Sequence, residues 1–420
     1  MRRLFLCIGL IALMNIPLTA QNVLIPMDLS QQDHLKAYGV AYAALQRGTP
    51  VEWLLNFRGG SFLCTQDSEV INQCIIRGVS YEPVSENSTA AIHAAIEQSD
   101  MDVVLLEKAP DIAVYTPPNK QPWDDAVTLV LTYAEIPYET LWDQGVLRGD
   151  LKDYDWLHLH HEDFTGQYGK FWATYHNAQW YKDQQQQFES MARSLGFSKV
   201  SRLKHAVALD IRDYVARGGF LFAMCSATDS YDIALAAANT DICETVFDGD
   251  PAASDWKEKL DYSQCLAFTG FSLFTNPSVY EFSDIDTTPL NRSAAVSPSD
   301  NYFTLFRFSA KFDPVPAMLT QNHVSVIHNF MGQTTGFHAD KIKPSVVIMG
   351  RREDTDEIKY LHGNLGKGSF TFLGGHDPED YQHFVGDPPT ELILHKQSPG
   401  YRLILNNILF PAAKKKKQKT

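Results

Sequence analysis

Five consecutive apolar residues, Phe220 to Met224, stand between Gly218-Gly219 on one side and Cys225 on the other. A run of that length has no polar face to offer water, so it must be covered on both sides. That is the position of a central strand in a parallel sheet flanked by helices. Around it, short apolar runs alternate with stretches of helical period, the pattern of an α/β protein. The runs Asp111–Tyr115, Tyr138–Trp142, Tyr154–His160, Val346–Met349 and Ser369–Leu373 read as strands, and Asp124–Ile136, Lys204–Arg217, Ser230–Ala238 and Pro399–Phe410 as helices.

The same alternation, read from Asn22 to Leu106, predicts a small N-terminal α/β unit over 21–108 with a parallel sheet of its own. The main domain is then expected over 109–239 and 344–413. An irregular, β-containing insertion, rich in Asp, Ser, Asn, Pro and Thr, fills 240–343.

The N-terminus has the form of an export leader. Arg2 and Arg3 precede an apolar run from Leu4 to Met14, and Pro17-Leu18-Thr19-Ala20 offers a small residue before Gln21. That run is too short to span a bilayer, and no other stretch reaches 18 apolar residues. Residues 1–20 are therefore expected to be removed, placing the protein in the periplasm or cell envelope with no membrane span. The formal net charge is −14, and it becomes more negative without the leader arginines and the tail Lys414–Lys417 and Lys419. An acidic body repels phosphate backbones, which argues against nucleic acid as a partner. Five cysteines survive removal of the leader. In an oxidising compartment neighbour pairing gives Cys64–Cys74 and Cys243–Cys265, with Cys225 left over.

Cys225 is where the chemistry is expected. A strand that runs into a nucleophile and at once into a helix exposes that nucleophile at the sheet edge, where the helix N-terminus favours a thiolate. Ala223 and Ala227 keep the elbow small, and Ser226 follows directly. A buried core thiol is the plain alternative. A cysteine nucleophile needs a base, and the base needs an orienting acid. Gly374-Gly375-His376-Asp377-Pro378-Glu379 ends a strand and offers His376 with Glu379 or Asp377. A third segment, His158-Leu159-His160-His161-Glu162-Asp163, ends another strand. Strand alternation puts His158 and His160 on one face and His161 on the other. These polar residues suit a substrate-positioning wall, and His158 with His160 also suits a divalent metal such as zinc, joined by His376 or His383. Asp124-Asp125 reads as a helix cap. Arg58-Gly59-Gly60-Ser61 reads as a turn or an anion site, and Asn322-His323 and Asp380–His383 are candidates to line the cleft.

Residues 111–413 resemble the class I glutamine amidotransferase-like fold, and within it the ThuA-like branch. The likeness is carried by Gly-Gly-Phe-Leu-Phe-Ala-Met-Cys at 218–225, Gly-Lys-Gly at 366–368, Gly-Gly-His-Asp-Pro-Glu at 374–379 and the closing segment 401–410. The resemblance implies a flavodoxin-like parallel sheet with Cys225 as nucleophile, His376 as base and Glu379 as orienting acid. The sequence departs from the family pattern where alanines replace the elbow glycines and where Asp377 separates His376 from Pro378. The whole chain also resembles exported bacterial proteins labelled asparagine synthetase B. Cleavage of the leader would expose Gln21 rather than a cysteine, however, and Ser226-Ala227-Thr228-Asp229-Ser230 lacks the glycines of a pyrophosphate cradle. Three functions follow as expectations: cysteine-dependent hydrolysis or transfer on an amide-like or sugar-derived substrate, non-catalytic binding of a glycan or peptide, and metal-assisted hydrolysis.

Overall fold

A computed structural model describes residues 22–119, 121–288, 301–380 and 384–413. Residues 1–21, over which a leader is expected, the lysine tail and Tyr381–His383 lie outside the described residues.

The N-terminal unit is a five-stranded sheet of β1 (Asn22–Ile25), β2 (Val51–Leu55), β3 (Ser61–Thr65), β4 (Glu82–Val84) and β5 (Asp102–Leu106), in the order β4-β1-β3-β2-β5. Every neighbouring pair is antiparallel, which corrects the parallel sheet expected there. The link between β2 and β3 explains this. Asn56, Arg58, Gly59 and Gly60 all hold positive φ, so the chain reverses within a few residues, whereas a parallel return needs a crossover of about a dozen. Arg58 pairs with Asp28 at 2.7 Å and Glu82 at 2.8 Å, so its charge is spent on bracing the turn.

The second sheet holds β6 (Ile112–Tyr115), β7 (Glu139–Leu141), β8 (Trp156–Leu159), β9 (Phe220–Met224), β10 (Tyr302–Leu305), β11 (Val326–His328), β12 (Phe337–His338), β13 (Val347–Arg351), β14 (Glu357–Leu365) and β15 (Gly368–Leu373). Five of these run parallel in the order β7-β6-β8-β9-β15. β14, β13, β10 and β11 then extend the sheet antiparallel beyond β15. The region 240–343 therefore gives two strands to the main sheet, β10 and β11, while β12 pairs to one side of β14. β9 is buried at all five positions, as its composition requires. The fold is mixed α/β.

One apolar core joins the two sheets. The helix His34–Gln46 buries Leu35, Tyr38, Val40 and Leu45, and packs against the helices Ala126–Ala134 and Pro399–Leu409. Arg402 of that last helix is fully buried. It donates to Met27 O at 3.0 Å, to Tyr38 Oη at 3.0 Å and to Gly59 O, so the C-terminal helix is tied to the first turns of the chain. All five described cysteines are buried free thiols, and the expected pairs do not form. The thiol of Cys243 donates to Thr165 O and that of Cys265 to Asp232 O, both at 3.3 Å, so each is held by a different distant segment.

Candidate active site

β9 delivers Cys225 to the carboxyl edge of the parallel strands, where open α/β sheets keep their ligands. Cys225 has φ +51° and ψ −138°, a left-handed backbone that an L-residue holds only when its surroundings impose it. The surroundings are visible: its N–H donates to Gly375 O at 3.1 Å, and two residues on Ala227 N–H donates to His160 O at 3.0 Å. The backbone of Gln333, Thr334 and Ser226 around the thiol favours its ionised form. Burial nevertheless dominates and pushes the thiol up to about 11, so at neutral pH it is protonated.

His376 lies three residues beyond the end of β15, the parallel neighbour of β9. Gly375 makes this possible, since with φ +95° its Cβ would stand 1.8 Å from Phe330 O. A Cβ on Gly332 would lie 3.3 Å from Cys225 Sγ and 3.0 Å from the Cβ of His376, so one small residue touches both side chains. His376 Nε2 lies 3.2 Å from Asp124 Oδ1. Glu379, expected as the orienting acid, instead pairs with His395 Nδ1 at 3.0 Å. Asp377 accepts from Tyr401 Oη at 2.6 Å and from the Glu379 N–H at 2.7 Å, so it braces the turn from inside. The acid that reaches the histidine comes from Asp124-Asp125. Asp125 does cap its helix, accepting from Thr128 N–H at 2.8 Å. It also meets His158 Nε2 at 3.2 Å and His160 Nδ1 at 3.3 Å. Burial works against its charge, yet the two imidazoles hold its carboxyl well below the usual range.

The histidine wall differs from the expected alternation. β8 ends at Leu159, so His160 and His161 lie beyond the ladder and the period of two does not reach them. Their rings stack with centroids 4.0 Å apart, and His376 sits 4.6 Å from the first and 4.5 Å from the second. His161 Nε2 donates to Asp124 O at 2.7 Å. His158 is fully buried with Nδ1 donating to Phe222 O at 3.1 Å, a strut between β8 and β9. Asp163 accepts from Thr165 N–H and Oγ1, both at 2.6 Å, and from Gly169 N–H at 3.0 Å, so it shapes a loop. Burial, helped by nearby Asp143, Asp125 and Asp163 and opposed by Lys204, pushes Glu162 up to about 8.

A cavity of about 460 Å³ opens onto this edge, and Cys225, Ser226 and His161 line it. Of the expected wall, His161 is the member that faces it. The rest of its lining includes Trp123, Phe171 and Tyr280, with Phe171 5.4 Å from Trp123 and 5.9 Å from Tyr280 between ring centroids. The sequence signal for these aromatics is weak, since nothing in their spacing sets them apart from core residues. Asn322 and His323 line a separate hollow, where His323 stacks on His34 at 4.5 Å. Ser226 to Ser230 are buried within the helix Ser226–Ala236, which offers no open backbone cradle to a pyrophosphate.

Among the described residues, His160, His161 and His376 bring ligand atoms within 4.8 Å of one another, as do Asp125, His158 and His160, and both groups are compatible with a metal. Asp241, Cys243 and Asp248 are similarly close, but the Lys199 ammonium already sits 2.6 Å from Asp241 and 3.0 Å from Asp248.

No family model matches the chain, and no curated protein matches it. Among solved structures it is similar to the cytoplasmic protein STM1381 of Salmonella typhimurium LT2, at 10% identity and a TM-score of 0.36, over 72% of this chain and 100% of that one. The Salmonella typhimurium cytoplasmic protein STM3548 gives 9% identity and a TM-score of 0.34, over 73% and 100%. Gan42B, a GH42 beta-galactosidase from G. stearothermophilus, gives 10% identity and a TM-score of 0.26 over 64% of this chain and 28% of that one. Likenesses this loose assign neither a fold family nor an activity.

Proposed function

We propose that this chain is an exported thiol hydrolase or acyl transferase on a flavodoxin-like, amidotransferase-like sheet. The parallel strand order supports the fold, because in chain order β7-β6-β8-β9-β15 is the 2-1-3-4-5 arrangement of such sheets. The observation that carries the activity is Cys225 at φ +51°, between strand and helix, at the wall of an aromatic cavity. In this reading Cys225 is the nucleophile, His376 the base and Asp124 the acid that orients it. The thiol attacks a carbonyl carbon while its proton passes to His376; the tetrahedral centre then expels the leaving amine or alcohol, which takes that proton. Water or an acceptor hydroxyl resolves the thioester. A thiol at about 11 reacts only in company with its base. Trp123, Phe171 and Tyr280 favour a substrate with a flat or sugar-like face.

Native alkylation followed by peptide mapping tests this. Cys225 is expected to react before the other four cysteines, more slowly in Asp124→Asn, and not in Cys225→Ser. If Cys225 stays silent until the protein is denatured, the nucleophile is lost from the account. A second reading, non-catalytic binding of a glycan or peptide, is favoured by the same aromatic lining and by the high thiol pKa. It predicts ligand-induced quenching of Trp123 fluorescence that Cys225→Ser leaves intact. Export is tested by intact mass, which is expected to begin at Gln21.

A further inference from the structure

We infer that the cavity beside Cys225 takes an uncharged, acylated sugar unit, an acetamido sugar being the type case. The inference deepens the thiol reading and rests on it for the acyl group. Among the described residues that line the cavity there is no Lys, Arg, Asp or Glu. The carboxylates of this edge, Asp124 and Asp125, lie against His376, His158 and His160 at 3.2–3.3 Å and do not line it. A charged group entering such a space gives up its water and meets no opposite charge, a cost that nothing there offsets. Free glutamine carries an α-carboxylate and an α-ammonium, so it is a poor occupant. Phosphates and acidic sugars are poorer still, because the net charge of −14 repels them before they arrive.

The lining offers flat apolar faces and neutral polar groups instead. Phe171 lies 5.4 Å from Trp123 and 5.9 Å from both Tyr175 and Tyr280 between ring centroids, and Trp180 backs Trp123 edge-on at 5.6 Å. Rings braced in this way present faces on which the C–H side of a pyranose can rest. Gln333 donates to Gly169 O at 2.8 Å, which ties its own wall to the turn that carries Phe171. The hydroxyls of Ser226 and Tyr175 add hydrogen-bonding capacity without charge. The volume of about 460 Å³ falls within the usual range of small-molecule pockets, about 300–1,000 Å³. A plain sugar has no acyl carbon for Cys225 to attack, so the sugar must carry a neutral amide or ester. With an acetamido sugar the C–N bond breaks, the acetyl group passes to Sγ as a thioester, and the thiol proton leaves on the amine. Water then releases acetate and restores the thiol. The freed amine takes up a proton in water, and the lack of countercharge in the cavity favours its departure.

The test is calorimetric titration of the untagged wild-type chain with five probes: the methyl glycoside of N-acetylglucosamine, methyl glucoside, glucosamine, N-acetylneuraminic acid and L-glutamine. The acetamido glycoside is expected to bind most tightly, by at least about 10-fold over the cationic, anionic and zwitterionic probes. Methyl glucoside should bind more weakly than the acetamido glycoside. Trp123→Ala, at a half-buried position, should weaken the acetamido glycoside by about 10-fold. Cys225→Ser should bind it as the wild type does. Ligand preference decides this inference and native alkylation of Cys225 decides the thiol reading, so the two can fail separately. Absence of acetate release with binding intact would count against hydrolysis and not against the ligand class. No binding of the acetamido glycoside would overturn the inference, as would glutamine, N-acetylneuraminic acid or methyl glucoside binding as tightly.

Discussion

Two polar clusters lie at the carboxyl edge of the same parallel strands, and they are built to opposite ends. In the first, Lys204 donates to both oxygens of Asp143 at 2.9 and 3.1 Å and to Tyr115 Oη at 2.9 Å, under the ring of Trp142 at 3.7 Å. Lys204 and Asp143 are 1% and 0% exposed, and neither lines the cavity beside Cys225. In the second, three imidazoles and two carboxylates pack together, and one of them, His161, lines an open cavity beside the strained Cys225. A buried charge that is fully paired and sealed from solvent holds elements together, whereas one that faces space can meet a ligand. Net burial alone would have ranked the two clusters the other way round.

The sharpest way to break this contrast is Asp143→Asn. Leaving Lys204 buried without its countercharge is expected to cost about 3–5 kcal/mol in urea unfolding while the alkylation rate of Cys225 stays unchanged. If that rate falls with stability, the clusters are one unit. Asp125→Asn is expected to cost less, on the order of 2 kcal/mol, because the helix cap survives and only the partnership with His158 and His160 is lost.

Glu162 gives the smallest effect. Its carboxyl is raised from an ordinary 4.5 to about 8, so the folded state binds a proton that the unfolded state releases. Stability tied to it is therefore complete below about pH 4.5 and is lost as pH rises through about 8. Glu162→Gln should remove on the order of 1 kcal/mol of that decline, read as a flatter unfolding midpoint against pH. An unchanged slope would mean that Lys204 keeps Glu162 ionised in the folded protein.

How much of this was legible in the sequence follows range. The apolar run at 220–224 has only one good environment, so β9 and the elbow at Cys225 could be read directly. His376 was readable for the same reason, as the polar end of a strand. Its carboxylate neighbour was not, because Asp124 lies 252 positions away and local motif logic points to Glu379. Asp124-Asp125 looked like a cap, which Asp125 is, and capping hid the second use. Strand direction in the N-terminal sheet failed for a related reason: periodicity identifies a strand but not its partner, and four positive-φ residues decided the pairing. The cysteine pairing erred by treating nearness in sequence as nearness of sulfurs.

The buried arginine of the closing helix has a consequence for how the molecule comes into being. Arg402 reaches Met27 across 375 positions of chain, so the first sheet cannot be locked until almost the whole polypeptide is available. A nascent chain would hold its early strands in a loose, unfinished state throughout synthesis. Truncation shortly before residue 399 should accordingly leave a product that is cleared by proteases.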